Sequence, residues 1–346
     1  MDGKKRTEIA ELGKFGLIDR LTAGFAPARA TTIKGAGDDA AVIDTGDRYT
    51  LVSTDLLLEG VDFDLVYTPL RHLGYKAVVA GCSDIYAMNG TPQQVMLALG
   101  VSARFSVEDL EELYAGVKLA CKAYGVDLAG GDTSASVNGL TIGITTVGSV
   151  ARDKIVYRSG AKKNDLVCIT GDLGAAYMGL HLLEREKRAY AGSQSPQPKF
   201  EGREYILGRQ LKPESPREAI EALGRAGIVP TAMIDLTDGL ASDLLHICKQ
   251  SACGARIYLD RIPIARQTSE MAEELHIDPV TAALNGGGDY ELLFTVPLDR
   301  QEELFKLGAG IEVIGHITDE STGVALTTPD GEDIALTAPG WKTREK

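Results

Sequence analysis

The stretches Gly37-Asp38-Asp39-Ala40-Ala41-Val42-Ile43 and Leu51-Val52-Ser53-Thr54-Asp55 are two apolar runs that each carry carboxylates at one end. A polar turn, Thr45-Gly46-Asp47, lies between them. If the runs pair as a hairpin across this turn, the start of the first strand lies beside the end of the second. The sequence therefore predicts a sheet edge at which three carboxylates meet, those of Asp38, Asp39 and Asp55, with the hydroxyls of Ser53 and Thr54 beside them.

Three carboxylates at such short range repel one another at neutral pH. A bound Mg²⁺ would relieve this repulsion, because it takes oxygen ligands and keeps coordination positions open for phosphate oxygens. The alternative is a polar loop whose acids are solvated. The stretch Gly35 to Ala40 also matches the dinucleotide pattern G-x-G-x-x-A, but that pattern needs a helix after it, and here a strand follows. We therefore reject a dinucleotide site.

The length of 346 residues favours two domains, and the 44% of hydrophobic residues is enough for a core in each. The net charge of −13 argues against nucleic acid or an anionic membrane as the main partner. An acidic protein can still bind an anionic substrate where metal ions reverse the local charge.

The five cysteines are odd in number and form no CxxC pair. We interpret them as reduced thiols. The sequence shows no signal peptide and no apolar run of membrane-spanning length. These features together predict a cytoplasmic protein.

Further acids occur at predicted element ends. A helix is expected from an N-cap at Thr68 to about Met88, and it carries Asp84 among small apolar residues. A metal or a hydrogen-bonded partner is the favoured explanation for Asp84, and a solvent-facing helix side is the alternative. Asp235 and Asp238 flank a predicted strand-to-helix turn and can face one point, although Asp238 can also be a simple helix cap.

Glycines precede two other acids. Gly130-Gly131-Asp132-Thr133 lies between a predicted helix and a predicted strand, where paired glycines let the backbone approach a ligand closely. A plain turn that uses the same residues is the alternative. Gly286-Gly287-Gly288-Asp289 precedes a predicted strand from Leu292 to Val296. His246, three residues after Asp243, is interpreted as part of a helix-surface pair.

Taken in order, these motifs resemble the thiamine-monophosphate kinases, which belong to the aminoimidazole ribonucleotide synthetase-like superfamily. The resemblance extends over residues 10 to 345. The matching segments are Gly37-Asp38-Asp39-Ala40, Ser53-Thr54-Asp55, Glu59-Gly60-Val61, Ser83-Asp84-Ile85, Ala87-Met88, Gly130-Gly131-Asp132-Thr133, Arg158-Ser159-Gly160-Ala161, Asp235 to Leu240, and Asp289-Tyr290-Glu291-Leu292.

The resemblance implies an α/β (α+β) fold of two domains: residues 1–152 for metal and ATP binding and dimerisation, and residues 153–346 as a C-terminal α/β domain. It implies a homodimer, with ATP as co-substrate in the cleft between the domains. The implied reaction transfers the γ-phosphoryl group of ATP to thiamine monophosphate, assisted by several Mg²⁺ ions. Another ATP-using enzyme of the superfamily, a Mg²⁺-dependent phosphohydrolase and a non-catalytic nucleotide-binding protein are the alternatives.

The same resemblance assigns residues to roles. The implied metal-binding residues are Asp39, Ser53, Thr54, Asp55, Asp84, Asp132, Asp235 and Asp238. The implied nucleotide-binding residues are Gly131, Asp132, Arg158 and Thr237, and the implied catalytic set is Asp39, Asp55, Asp132, Arg158 and Asp238. The substrate-side positions are Asp62, Gly288 and Trp341.

Two substrate-side positions depart from the family pattern. Asp62 stands where the family usually has histidine, and Gly288 stands where it usually has glutamate. Both departures concern the acceptor and leave the ATP and metal assignments intact. Asp62 or Asp289 is expected to offer a carboxylate in place of the missing glutamate.

Overall fold

The computed structural model describes residues 7–191 and 200–338. The first part of the chain forms a six-stranded sheet in the order β1-β2-β3-β6-β4-β5. Its elements are α1 (Ile9–Thr22), β1 (Thr32–Lys34), β2 (Ala41–Asp44), β3 (Arg48–Leu58), α2 (Leu70–Ala87), β4 (Thr91–Ser102), α3 (Val107–Tyr124), β5 (Asp127–Ser136) and β6 (Leu140–Ala151).

The second part forms a seven-stranded sheet in the order β13-β12-β9-β11-β7-β10-β8. Its strands are β7 (Leu166–Thr170), β8 (Ala232–Leu236), β9 (Cys253–Tyr258), β10 (Glu291–Val296), β11 (Ile311–Asp319), β12 (Val324–Thr327) and β13 (Asp333–Ala335). Its helices are α4 (Ala175–Ala191), α5 (Glu204–Leu211), α6 (Arg217–Arg225), α7 (Leu240–Ser251), α8 (Arg266–Leu275), α9 (Pro279–Asn285) and α10 (Gln301–Leu307). The proposed domain division between residues 152 and 153 falls in the connection between the two sheets.

The predicted hairpin is confirmed. Strands β2 and β3 are antiparallel, with Ala41 opposite Val52, so the loop that carries the two leading aspartates lies beside the middle of β3. The prediction that Asp55 ends the strand is wrong, because β3 continues to Leu58 along the whole length of β6. Asp55 therefore projects from a rigid strand rather than from a loop.

Helix α2 is the element between the sheets. Most of its side chains are buried, and it contacts the first sheet and also β8 of the second. Close packing against α3 depends on Gly74, where a Cβ would lie 2.0 Å from the carbonyl oxygen of Leu113. The predicted Thr68 cap is wrong: the N-cap is Pro69, and no side chain caps this helix. The sequence Ser106-Val107-Glu108-Asp109 predicts a capping box, and this capping box is present at the start of α3.

The alternative that Gly130-Gly131-Asp132-Thr133 is a plain turn is wrong. These residues belong to β5, an edge strand that pairs in parallel with β4. Local glycine content favours a turn, but pairing with a neighbouring strand overrides local preference. Among the described residues, no helix combines the length and the apolar character needed to cross a membrane.

Candidate active site

A cavity lies between the two sheets and receives side chains from both. Its walls come from α1, the loop before β2, the middle of β3, helix α2, the β8–α7 turn and the loop before β10. The sequence-predicted residues on this wall are Asp39, Thr54, Asp55, Asp62, Asp84, Arg158, Asp235, Thr237, Asp238 and Gly288.

Three carboxylates from separate segments converge in this cavity. Each of Asp39, Asp84 and Asp235 contributes an oxygen, and these oxygens lie within 4.8 Å of one another. Asp39 precedes β2, Asp84 lies on α2, and Asp235 lies on β8 of the second sheet. The predicted convergence of acids is therefore present, and it spans both halves of the chain.

Arg158 is the cation that balances this cluster. Its Nε lies 3.0 Å from Oδ1 of Asp39, and its Nη2 donates to the same oxygen. Its backbone N–H donates to Oδ1 of Asp38 at 3.1 Å. The guanidinium therefore holds one oxygen of Asp39, and the other, Oδ2, is buried without a hydrogen-bond partner.

Burial raises the pKa values of the acids in and around this cluster. Burial raises the pKa of Asp38 and of Asp55 to about 6, and that of Asp235 to about 7. Burial and then the charge of Asp55 raise the pKa of Asp84 well above its usual range. Buried carboxylates that lie close together and have raised pKa values are typical of a functional site.

These residues fit a divalent metal ion. Asp38, Asp39 and Asp55 each have an Oδ2 atom that is buried and has no hydrogen-bond partner. Carboxylate oxygens that lie close together on separate segments, as those of Asp39, Asp84 and Asp235 do, are the ligands that Mg²⁺ prefers. A cation there would satisfy these atoms and remove the mutual repulsion.

The β8–α7 turn carries the remaining acids. Asp238 accepts two hydrogen bonds from Nζ of Lys14, at 2.9 and 3.1 Å. The alternative that Asp238 caps α7 is wrong, because the N-cap is Gly239 and no side chain caps the helix. The turn is held instead by the buried Asp243, which accepts from the backbone N–H groups of Thr237 and Asp238 at 3.2 and 3.3 Å.

Several predicted residues do not reach the cavity wall. Ser53 is buried and donates to the carbonyl oxygen of Gly81 at 3.4 Å. Gly131 and Asp132 lie on the exposed edge strand β5, outside this cavity. Trp341 lies outside the described residues. The remaining sequence-predicted positions come together as a single site.

The expectation that Asp289 replaces the missing glutamate is wrong. Its carboxylate is buried and accepts from the backbone N–H groups of Gly174 and Ala176 at the start of α4. Asp62 does line the cavity, and its Oδ2 accepts from the backbone N–H of Leu58 at 2.8 Å. Of these two aspartates, Asp62 is therefore the one whose residue lies on the cavity wall.

Sequence reasoning missed four residues on this wall. His246 is not in a surface pair, since its ring lies 3.8 Å from that of Phe15 and burial lowers its pKa to about 4. Asp243 supports the turn, Lys14 pairs with Asp238, and Lys76 enters the cavity from α2. An isolated lysine in the otherwise apolar run Gly74 to Cys82 was the available signal for Lys76.

Comparison with known proteins gives matches over both parts of the chain. The family described as AIR synthase related protein matches with its N-terminal domain over residues 37–150 and with its C-terminal domain over residues 162–326. The thiamine-monophosphate kinase of Aquifex aeolicus is 30% identical over 334 residues, covering 96% of this chain and 99% of the relative. That of Escherichia coli K12 is 34% identical over 343 residues, covering 95% and 97%.

A solved structure of a relative also has a similar fold. The solved structure described as AaThiL complexed with AMPPCP and TMP has a TM-score of 0.80 and 30% identity, covering 95% of this chain and 97% of the other. Both domains match the AIR synthase related families, and the alignments to the kinases run nearly end to end. The chain therefore belongs to the thiamine-monophosphate kinase family of the AIR synthase related proteins.

Proposed function

We propose that this chain is a cytoplasmic enzyme that transfers the γ-phosphoryl group of ATP to thiamine monophosphate, giving ADP and thiamine diphosphate. The observation that carries the proposal is the convergence of Asp39, Asp84 and Asp235 between the two sheets. It occurs in a chain that is related over nearly its whole length to thiamine-monophosphate kinases.

Asp39, Asp55, Asp84 and Asp235 are the residues that would hold Mg²⁺. When bound, Mg²⁺ neutralises phosphate charge and stabilises the charge that develops during phosphoryl transfer. Arg158 positions Asp39 and adds a permanent positive charge beside the phosphates. Asp243 fixes the turn that carries Thr237 and Asp238, the proposed nucleotide-side residues.

The acceptor oxygen belongs to a phosphate group, which is largely ionised at neutral pH. A general base is therefore not required, and the residues of the site act mainly by positioning and by charge. This agrees with the described part of the cavity wall, where the one histidine, His246, has a pKa lowered to about 4 by burial.

We also propose a homodimer formed through the outer face of the first sheet. Leu56 and Leu58 on β3 are 59% and 37% exposed on this face. Asp132 pairs with the exposed Ala98 of β4, so it lies on the same face, toward the proposed partner subunit. Light scattering is expected to give twice the chain mass of 36.8 kDa, and Leu58→Glu is expected to lower it. A wild-type mass of one chain would contradict the dimer.

Product analysis tests the reaction. The protein is incubated with ATP, Mg²⁺ and thiamine monophosphate, and nucleotides and thiamine phosphates are separated chromatographically. Equal amounts of ADP and thiamine diphosphate are expected, with none from Asp84→Asn. Free phosphate without thiamine diphosphate would instead indicate a phosphohydrolase. ADP formation only with another acceptor from a panel would indicate a different substrate.

A further inference from the structure

Lys76 is a buried lysine on the cavity wall. Lys76 is 7% exposed, and its Nζ lies 3.1 Å from the carbonyl oxygen of Gln210. No carboxylate of the described residues forms an ion pair with it. The other lysine and arginine side chains on this wall are each paired with an acid: Arg158 with Asp39, Lys14 with Asp238, and Lys249 with Asp19.

A buried ammonium group without a counterion destabilises the free protein. Consistent with this, burial lowers the pKa of Lys76 to about 8, while the charge of Asp62 opposes the shift. One backbone carbonyl uses only one of the three N–H donors of the ammonium group. The remaining donors are available to a ligand that enters the cavity.

The position of Lys76 along α2 defines which part of a ligand it meets. Lys76, Ala80 and Asp84 are spaced by four residues and all line the cavity. At 1.5 Å per residue, Lys76 and Asp84 are separated along the helix axis by about 12 Å. The small side chain of Ala80 leaves room between them. A ligand whose phosphate lies at the acidic cluster therefore presents its distant end to Lys76.

The surroundings of Lys76 combine a donor, an acceptor and an aromatic ring. Nζ lies 5.9 Å from the centre of the Tyr290 ring, and Asp62 lines the same cavity. An aminopyrimidine has a ring nitrogen that accepts a hydrogen bond beside an exocyclic amine that donates one, and its flat face can stack. The three side chains therefore match the chemistry of the aminopyrimidine that thiamine monophosphate carries.

We propose that Lys76 is a specificity-determining residue that donates a hydrogen bond to a ring nitrogen of the acceptor's aminopyrimidine, while Asp62 accepts one from the exocyclic amine. This inference rests on the proposed function, because it takes thiamine monophosphate as the acceptor. It adds a contact at the end of the acceptor far from the phosphate.

Lys76→Met tests the contact, since methionine is similar in length and uncharged. The Michaelis constant for thiamine monophosphate is expected to rise about 10- to 100-fold, which corresponds to the loss of a charged hydrogen bond. The Michaelis constant for ATP is expected to stay unchanged. With a truncated acceptor, phosphorylated hydroxyethylthiazole without the pyrimidine, the variant and the wild type are expected to behave alike. Lys118→Met, an exposed substitution on α3, is the matched control.

Calorimetric titration of thiamine monophosphate without ATP gives a readout independent of turnover, and the same loss of affinity is expected. The melting temperature of unliganded Lys76→Met is expected to be unchanged or higher. An unchanged Michaelis constant for thiamine monophosphate, or an equal loss with the truncated acceptor, would overturn the proposal. A lower melting temperature together with higher Michaelis constants for both substrates would also overturn it, because that pattern indicates a structural role.

Failure of the proposed function is distinguishable from failure of this inference. Absence of thiamine diphosphate formation by the wild type would overturn the function. Titration of the wild type and Lys76→Met with the isolated aminopyrimidine alcohol would still test the contact. Weaker binding to the variant would support the contact, and equal binding would overturn it.

Discussion

The hydroxyl of Ser83 donates a hydrogen bond to Oδ2 of Asp235, which joins helix α2 of the first half to strand β8 of the second. Both side chains are buried. The bond also lowers the pKa of Asp235 against the larger opposing effect of burial. It therefore contributes both to the docking of the two halves and to the charge state of a proposed metal ligand.

Above about pH 7, where Asp235 is charged in the folded chain, Ser83→Ala is expected to lower the free energy of unfolding by about 1.5–3 kcal/mol, because a buried charged acceptor loses its donor. Chemical denaturation measures this loss. Ser215→Ala is the control, since that serine is also buried but its hydroxyl has no hydrogen-bond partner. An equal effect of the two substitutions would show that the bond to Asp235 adds nothing.

Asp55→Asn is expected to reduce turnover by on the order of 100-fold or more, because it removes a negative charge from the proposed metal site without changing side-chain volume. The metal-free variant is expected to melt at a higher temperature at neutral pH, since burial disfavours the charge of Asp55. Asp47→Asn in the exposed hairpin turn is the control. Wild-type turnover of Asp55→Asn at limiting Mg²⁺ would remove Asp55 from the site.

The metal-free protein is expected to lose stability as the pH rises from about 4 to about 7. Asp38, Asp55 and Asp235 have folded-state pKa values of about 6, 6 and 7, above the ordinary 3.8. In this window the folded chain binds more protons than the unfolded chain, so the free energy of unfolding falls with increasing pH.

Thermal unfolding in chelator and in Mg²⁺ measures this dependence. Mg²⁺ is expected to flatten the pH profile, because a bound cation replaces the protons of the acids. Identical profiles with and without Mg²⁺ would contradict a metal site at these residues.

Gly288→Glu is expected to lower the Michaelis constant for thiamine monophosphate about tenfold by restoring a charged acceptor. The nearest atom to an added Cβ is Cβ of Ala176 at 3.8 Å, so space is available. The backbone angle φ of +75° adds a cost of roughly 1–2 kcal/mol for any residue with a Cβ.

Gly288→Ala separates these two effects, since it carries the backbone strain without the carboxylate. Both variants are expected to melt at lower temperature, but only Gly288→Glu is expected to bind the acceptor more tightly. If the kinetic constants of the two variants agree, the glycine is not a lost substrate contact.

Local patterns were sufficient to predict the hairpin and the capping box of α3. In both cases the signal lies within about twenty residues: two apolar runs around a polar turn, and a serine three residues before an acid. Strand β5 could not be predicted in this way. Its glycines favour a turn locally, and it is a strand because β4 lies beside it.

Each acid of the site could be identified from its local sequence, but only the family resemblance predicted that acids from both halves of the chain share one site. No spacing rule relates Asp39, Asp84 and Asp235, because they come from different elements and both sheets. The roles of Asp243 and Asp289 could not be predicted for the same reason. Each accepts hydrogen bonds from backbone groups whose position is set by the tertiary fold.

Helix α2 has a consequence for how the protein unfolds. Ala87 at its end packs with Leu292 and Phe294 of the second sheet, while Tyr290 of that half packs against the core of the first. The two sheets therefore share buried surface and are not thermodynamically independent. Calorimetry is expected to show one cooperative transition for the whole chain, so a destabilising change in either half weakens the proposed nucleotide and acceptor sites together.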